Sequence, residues 1–544
     1  MKRFTITLLF ISLLLCSFRP KENKITPTKN VIIMLTDGTS TSLLSTARWY
    51  KSYMEGNISE LNLDPYVCGL VKSYMSDAPI AGSAGAMSGY MTGIPQKSRA
   101  ISIYPEPNPS QDIIDVDSTM ANQPLATIME AAKIEKGKAV GLVATVDFYH
   151  ATPAACMAHA YDRGNRKEIV AQMASQNLDV MFAGGAKMIT GRAKEILEAQ
   201  GTRLIEKDVE AFRGIKKGKV WALLADRNLP YEMDRNDTSS PSLAEMTIKA
   251  IDILSQDKDG FCLMVEGSQV DMAAHANDPL GTITEFIAFD DAVKVAIEFA
   301  EKDGNTTVVI LSDHGNSGIT MGDRHYEDYS EKGLDSMFLN MSKFKCSGSK
   351  LARLIKKAEN DDVRKVFEEN TGISLTAEEI DILIRRKDTN VKNYMSVTNS
   401  ENLLAAVTGI LTKHTHIGFV SGNHTGEDVF LAVYNPKGQI PCGVISNVEF
   451  NRYLCKVLGL KTSLADLTGH LYNKHTDILN GYEYSIKEGA YPQLHIKSDK
   501  GMVIVPAWES TIIIDGARHQ MPAPAVYIPQ NNTFYISKDI IKYL

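Results

Sequence analysis

The feature that most restricts the fold of this chain is a set of short, almost wholly apolar runs set between helical patterns. They are Val31 to Leu35, Ala139 to Thr145, Val180 to Phe182, Phe261 to Val265, Thr307 to Leu311 and Val429 to Tyr434. A strand with one face in water alternates apolar and polar residues, so unbroken apolar runs fit strands covered on both faces, as in a parallel sheet. Between them lie patterns of helical period, such as Leu125, Ile128, Met129 and Ala132 closed by Gly137, and Phe286, Phe289, Val293 and Ile297. Strand and helix alternate, which predicts an α/β fold: a central, largely parallel sheet flanked by helices on both faces. The 544 residues suffice for a large core, and 44% hydrophobic with 23% charged residues excludes a disordered, collagen-like or disulfide-dense chain.

Two regions break the rhythm. From 349 to 390 the chain is strongly charged, with Val363, Val366 and Phe367 at helical spacing and a Thr376/Glu379 capping box, which predicts a helical insertion. From 484 to 544 helical period fades and strand signals take over, including Met502 to Val505 and Ile512 to Ile514 followed by the hairpin pair Asp515-Gly516. A small β-rich C-terminal domain is expected there, with the α/β domain over 25–483.

The N-terminus runs from Met1-Lys2-Arg3 through the apolar Phe4 to Cys16 into the polar Arg19 to Lys24, the order of a secretory signal, so residues 1–24 are expected to direct export to the periplasm or outside the cell. Cys16 after Leu13-Leu14-Leu15 leaves a lipid anchor open, with an ordinary signal cysteine as the alternative. No later apolar stretch is long enough for a membrane span. The formal charge of -7 gives no basic excess for nucleic acid or an anionic membrane surface. Cys68, Cys156, Cys262, Cys346, Cys442 and Cys455 form no CxxC pair, which points to neither a metal cluster nor a dense disulfide framework.

Acidic and imidazole residues gather where the predicted strands end, which is where open α/β sheets place ligands. Asp37 follows the first strand, Glu266 another, and Asp313-His314 a third. Taken singly, each is equally at home as a turn or cap residue. Asp271 and His275 lie one helical turn apart and make a workable half of a zinc site, which His424 could complete. In Ala81 to Gly93, small residues allow close backbone approach and Ser83 stands at a helix start, where amide N–H groups favour an anion. On composition alone a tightly packed helix is the simpler reading, and Ser88 competes with Ser83. His150 to Ala155 precedes a helix, and Arg163 beyond it has the fork geometry that grips phosphate.

Together these segments resemble the alkaline phosphatase family. The motifs Thr36-Asp37-Gly38, the Ser83 segment, Ala151 to Ala155, Val265-Glu266-Gly267 with Asp271 and His275, Ser312-Asp313-His314 and His424-Thr425-Gly426 occur in family order from about Asn30 to Leu458. The resemblance implies one Zn2+ on Asp271, His275 and His424, a second on Asp37, Asp313, His314 and the Ser83 oxygen, and one Mg2+ on Asp37, Thr152 and Glu266. It implies hydrolysis of phosphate monoesters through a phosphoserine at Ser83, with Arg163 holding the phosphate, and often a homodimer. Imidazole and carboxylate suit zinc, and the all-oxygen third set suits magnesium.

Three positions depart from the pattern. Gly82 stands where an Asp ordinarily braces the arginine, leaving Asp77 or another acid to substitute or Arg163 looser. His150 stands where the best-known bacterial members have Asp, and could recruit a transition metal. Met272 follows Asp271 where many members carry Lys, His or Trp. A phosphodiesterase or sulfatase on the same core, or a non-catalytic metal- or phosphate-binding protein, are the alternatives; no Cys-x-Pro-x-Arg segment of the sulfatase kind occurs at the nucleophile.

Overall fold

The computed structural model describes residues 25–323, 333–389 and 401–544. The expected signal 1–24, with Cys16, lies outside them, as does residue 390 at the end of the charged insertion. A ten-stranded sheet forms the centre. Its strands are β1 (Asn30–Thr36), β2 (Val67–Lys72), β3 (Ala139–Asp147), β4 (Val180–Gly184), β5 (Arg203–Glu206), β6 (Val220–Leu223), β7 (Phe261–Gly267), β8 (Thr306–Ser312), β9 (Val429–Tyr434) and β10 (Gly443–Ser446). They lie in the order β10-β2-β9-β8-β1-β7-β3-β4-β6-β5. All neighbours pair in parallel except β9, which runs antiparallel to β2 and β8.

The unbroken apolar runs are explained by β1, buried along its whole length. Ile32 and Met34 enter one apolar cluster and Val31, Ile33 and Leu35 another, so successive side chains fill the cores on opposite faces of the sheet. Each such side chain contributes roughly 1.5–3 kcal/mol of burial, which leaves little tolerance for polar residues inside these strands. The helix expected around Leu125 starts later: Leu125 precedes the cap Thr127, whose capping box with Glu130 opens Ile128–Lys136, and Gly137 closes it.

The charged stretch contains the helices Gly348–Lys357, Val363–Thr371 and Ala377–Arg386, the last opened by the Thr376/Glu379 capping box. At the C-terminus five strands between Glu483 and Gln520 form an antiparallel meander. Asp515 and Gly516, both at positive φ, make its last tight turn. Leu494, Ile496, Val503, Val505 and Ile512 bury into a core of their own. The meander is tied back by Arg192 Nε on Glu509 at 2.8 Å and by the Ser175–Ser510 hydroxyl pair at 2.9 Å. Asn473–Lys474, ahead of residue 484, pairs with Tyr535 and Ile536 of the tail.

Candidate functional site

Register brings the first set of polar residues together. β8, β1 and β7 are parallel neighbours, with Thr36 opposite both Ser312 and Gly267, so the residues leaving the three strands emerge level at one edge. Asp37, Asp313, His314 and Glu266 thus share one pocket, each almost wholly buried. Gly38 makes the junction feasible: it has φ 61°, and a Cβ there would fall 2.4 Å from Asp271 Oδ1. Its N–H donates to Asp313 Oδ1 at 3.0 Å.

Helix α1 (Ser83–Thr92) aims its first turn at this pocket, and all ten of its residues are buried. Ser83 Oγ lies 3.5 Å from Asp37 Oδ1 and 3.4 Å from His314 Nε2. Ser88 is committed elsewhere, its Oγ accepting from the Ser102 N–H at 3.0 Å. Helix α2 (Ala151–Met157) carries Thr152 in its first turn, with Oγ1 3.4 Å from Asp37 Oδ2.

Helix α3 (Gln269–His275) holds Asp271 and His275 one turn apart. His424 arrives through a two-residue antiparallel ladder in which it pairs with Asn316 and Thr425 pairs with Gly315. The His275 Nδ1 N–H donates to Gly422 O at 2.7 Å, that of His424 to Ala81 O at 2.8 Å, and that of His314 to Gly315 O at 3.2 Å. A carbonyl oxygen only accepts, so each neutral ring presents its Nε2 lone pair to the pocket. The Nε2 atoms of His275 and His424 face each other at 3.1 Å, and each lies 3.5 Å from Asp271 Oδ1. Lone pairs and a carboxylate converging in this way repel unless a cation sits among them. Nitrogen ligands of tetrahedral zinc lie about 3.4 Å apart, given bonds of about 2.0–2.1 Å. The His314 and His424 rings stack at 3.8 Å, so this group adjoins the one at Asp37.

The electrostatics point the same way. Burial, followed by the charges of Asp313, Asp271 and Glu266, raises the Asp37 carboxyl well above its ordinary range. Burial pushes Asp313 up to about 7 and Glu266 up to about 8. Burial raises Asp271 too, but positive charge on His275 and His424 outweighs it and lowers the carboxyl, and a cation shared among the three would supply the same charge. Among the described residues, Asp313 Oδ2 and both Glu266 oxygens are buried without a hydrogen-bond partner. A buried polar atom without a partner costs about 1–3 kcal/mol, and a charged one more, so this set suits cations. Ligand atoms within 4.8 Å of one another form three groups: Asp271, His275 and His424; Asp37, Asp313 and His314; and Asp37, His150 and Glu266.

Arg163 corrects the expectation of an unbraced arginine. Its NH2 group donates to His150 Nε2 at 2.9 Å, whereas the Asp77 carboxylate accepts from the Ser98 N–H at 2.9 Å. Burial and then Arg163 lower His150 to about 3, so it is a neutral acceptor. An Nε2 that accepts from Arg163 leaves the proton on Nδ1 while no metal is bound, and His150 falls with Asp37 and Glu266 in the third group of ligand atoms. Gly82 has extended backbone at φ -124°, and a Cβ there would meet the His424 ring at an ordinary 3.6 Å, so the position does not require glycine. The pairing of His150 with Arg163 had no signal in the sequence. Asn316, whose Nδ2 donates to Asp271 Oδ1 at 2.7 Å, was also passed over, although it lies two residues beyond His314. Met272 packs against the apolar cluster and lines a cavity of about 290 Å³ with Gln269, Tyr231 and Arg353.

The chain is similar to known proteins in sequence and in fold. The family model described as alkaline phosphatase matches residues 28–460. Alkaline phosphatase 3 of Bacillus subtilis is 32% identical over 454 residues, 80% of this chain and 90% of that protein. The crystal structure of a cold-active alkaline phosphatase from a psychrophilic Shewanella superposes with TM-score 0.68 at 25% identity, covering 80% of this chain and 100% of that one. A histidine-to-aspartate variant of the alkaline phosphatase from the Antarctic bacterium TAB5, with magnesium bound, superposes with TM-score 0.55 at 24% identity over 80% of this chain and 100% of that one.

Proposed function

The chain belongs to the alkaline phosphatase family of phosphoric monoester hydrolases, and we propose that it cleaves phosphate monoesters through a phosphoserine at Ser83, on a centre of two zinc ions and one magnesium ion. The observation that carries this reading is Ser83 Oγ at the buried start of α1, between Asp37 and His314, with an arginine held nearby. Asp271, His275 and His424 would hold one zinc. Asp37, Asp313, His314 and the Ser83 oxygen would hold the other, and Asp37, Thr152 and Glu266 the magnesium. When bound, these ions supply Lewis acidity and charge neutralisation, and they lower the pKa of a coordinated hydroxyl.

The chain's own residues account for the rest. Ser83 Oγ attacks phosphorus, its proton leaves, and the ester oxygen departs on the opposite side, giving phosphoserine and an alcohol. Water then attacks the phosphoserine and releases inorganic phosphate. The first-turn N–H groups of α1 and the Arg163 guanidinium bind the equatorial oxygens, where negative charge gathers in the transition state. His150 keeps Arg163 aimed, and Arg163 gripping two terminal oxygens favours a monoester over a diester. His150 also sets the third group apart, because a neutral imidazole lacks the negative charge that an aspartate would supply beside an all-oxygen site, so His150→Asp is expected to shift the group towards magnesium.

The division into a catalytic domain over 25–483, with its insertion, and an accessory domain over 484–544 belongs to the same proposal. So do export through residues 1–24, with a lipid anchor at Cys16 as the alternative to an ordinary signal cysteine, and a homodimer such as family members often form. Among the described residues no helix is long and apolar enough to cross a membrane. The test is turnover of p-nitrophenyl phosphate against bis(p-nitrophenyl) phosphate and p-nitrophenyl sulfate, with zinc and magnesium added. Monoester turnover far above the other two supports the reading, and a preference for the diester or sulfate overturns it.

A further inference from the structure

We propose that Cys68 and Cys442 are a disulfide pair that clamps the edge strand β10 to β2. The two strands pair in parallel, with Gly69 opposite Gly443, Leu70 opposite Val444 and Val71 opposite Ile445. Cys68 and Cys442 are the residues immediately before the first pair on each strand. Neighbouring strands lie about 4.8 Å apart, inside the 4.4–6.8 Å Cα separation that a disulfide spans. The approach is close at this point, because a Cβ on Gly69 would fall 2.4 Å from the Gly443 carbonyl oxygen.

The six cysteines outside residues 1–24 are all thiols in the structure, and only Cys442 is exposed. Cys156 and Cys262 are buried beyond reach of an oxidant. Cys68 is half-buried, its Sγ 3.6 Å from Leu431 O. Burial, with the Cys442 thiol adding to it, pushes Cys68 up to about 11, so Cys442 is the entry point. The Cys442 thiolate attacks one sulfur of a small-molecule disulfide such as oxidised glutathione and releases one thiolate. The Cys68 thiolate, its proton passing to solvent, then attacks the Cys442 sulfur of the mixed disulfide and releases the second. Two thiols are oxidised and one external disulfide is reduced. The export expected from the N-terminal sequence would take the chain to a compartment where such bonds persist.

The clamp sits where it can matter to Ser83. β10 has four residues, lies at the sheet edge and runs directly into the capping box of helix α4 (Asn447–Leu458). That helix seats α1: Asn451 Nδ2 donates to Tyr90 O at 2.7 Å, and the Phe450 and Tyr90 rings meet edge to face. A bond from Cys68 to Cys442 fixes the strand that carries α4 against α1.

The test treats the folded full chain with oxidised glutathione, alkylates remaining thiols and maps peptides by mass spectrometry with and without reductant, beside Cys442→Ser. A reductant-sensitive peptide joining Cys68 to Cys442 is expected. The melting midpoint should rise by about 4 °C on oxidation, and neither effect should appear in Cys442→Ser. Both cysteines alkylated after oxidation, or either joined to a different cysteine, overturns the proposal.

Discussion

Two buried carboxylate–imidazole clusters among the described residues differ in how fully their polar atoms are paired. In the first, Glu130 Oε1 accepts from Tyr472 at 2.5 Å, from Gln176 at 2.8 Å and from His159 at 3.2 Å, while Oε2 accepts from the Thr127 N–H at 2.9 Å. His159 Nδ1 donates to Ser102 O at 2.9 Å. Burial alone would raise Glu130, but His159 and these hydrogen bonds lower it below its ordinary value. In the second, Glu266 is equally buried, both its oxygens lack partners, and it rises to about 8. The first cluster is complete and joins the helix of Glu130 to Tyr472 near the tail. The second is left unfinished by the protein, as a site that takes cations must be. The pairing of the carboxylate oxygens, and not burial or residue type, separates these two clusters.

The contrast can be broken most severely at Ser83, the proposed nucleophile. Ser83→Ala should lower turnover of p-nitrophenyl phosphate by at least about 10³-fold and abolish acid-stable phosphoenzyme, with bound zinc retained. Ser88→Ala should keep the phosphoenzyme, and the reverse pattern would make Ser88 the nucleophile. Glu130→Gln acts on the other cluster. It should cost about 1–3 kcal/mol of stability, read as a lower denaturant midpoint, while the kcat of the folded enzyme stays within about twofold. A large kcat loss at unchanged stability would erase the distinction drawn between the clusters.

The pH dependence of the metal-free protein sharpens it further. Glu266 titrates near 8 in the fold against a model-peptide value of 4.5, so between those values the folded chain holds a proton that the unfolded chain has lost. Stability should therefore be greatest below about pH 4.5 as far as Glu266 is concerned, and fall as pH rises through 8. Glu130, lowered in the fold, works with the opposite sign: its stabilisation is present above its unfolded value and is lost as pH falls through the folded one. Thermal melts from pH 5 to 9 should slope downward without metal and flatten with saturating zinc and magnesium. The same slope with and without metal would mean that cations do not sit among these carboxylates.

The smallest effect expected is at Arg163. His150→Ala removes one hydrogen bond of about 1 kcal/mol and should weaken inhibition by inorganic phosphate about 5-fold, whereas Gly82→Asp should change it little because the arginine is already held. Tighter phosphate binding in Gly82→Asp would show that His150 is a poor brace.

The fold was legible where strands are central. The apolar runs of β1, β3, β4, β7, β8 and β9 coincide with sheet strands because both faces of each are covered. The strands β2, β5 and β10 carried no comparable signal: β2 and β10 show mixed exposure at one margin, and β5 (Arg203–Glu206) exposes its first and last residues at the other. The four residues of β6 are apolar and buried throughout, a run as legible as that of β4 but not singled out. For the site, the strand ends disclosed Asp37, Glu266 and Asp313-His314, since parallel register levels them. Their assignment to ions came from resemblance. What stayed hidden was pairing across long separations, such as His150 with Arg163 or Glu130 with Tyr472, because no local pattern records which buried polar atom finds a partner.

The most direct test of the unfinished cluster is metal content and turnover measured on one purified sample before and after exhaustive chelation. The account predicts two zinc ions and one magnesium ion per chain, activity lost in step with them, and recovery only when both metals return. Full turnover of p-nitrophenyl phosphate by protein shown to contain no bound metal would contradict it.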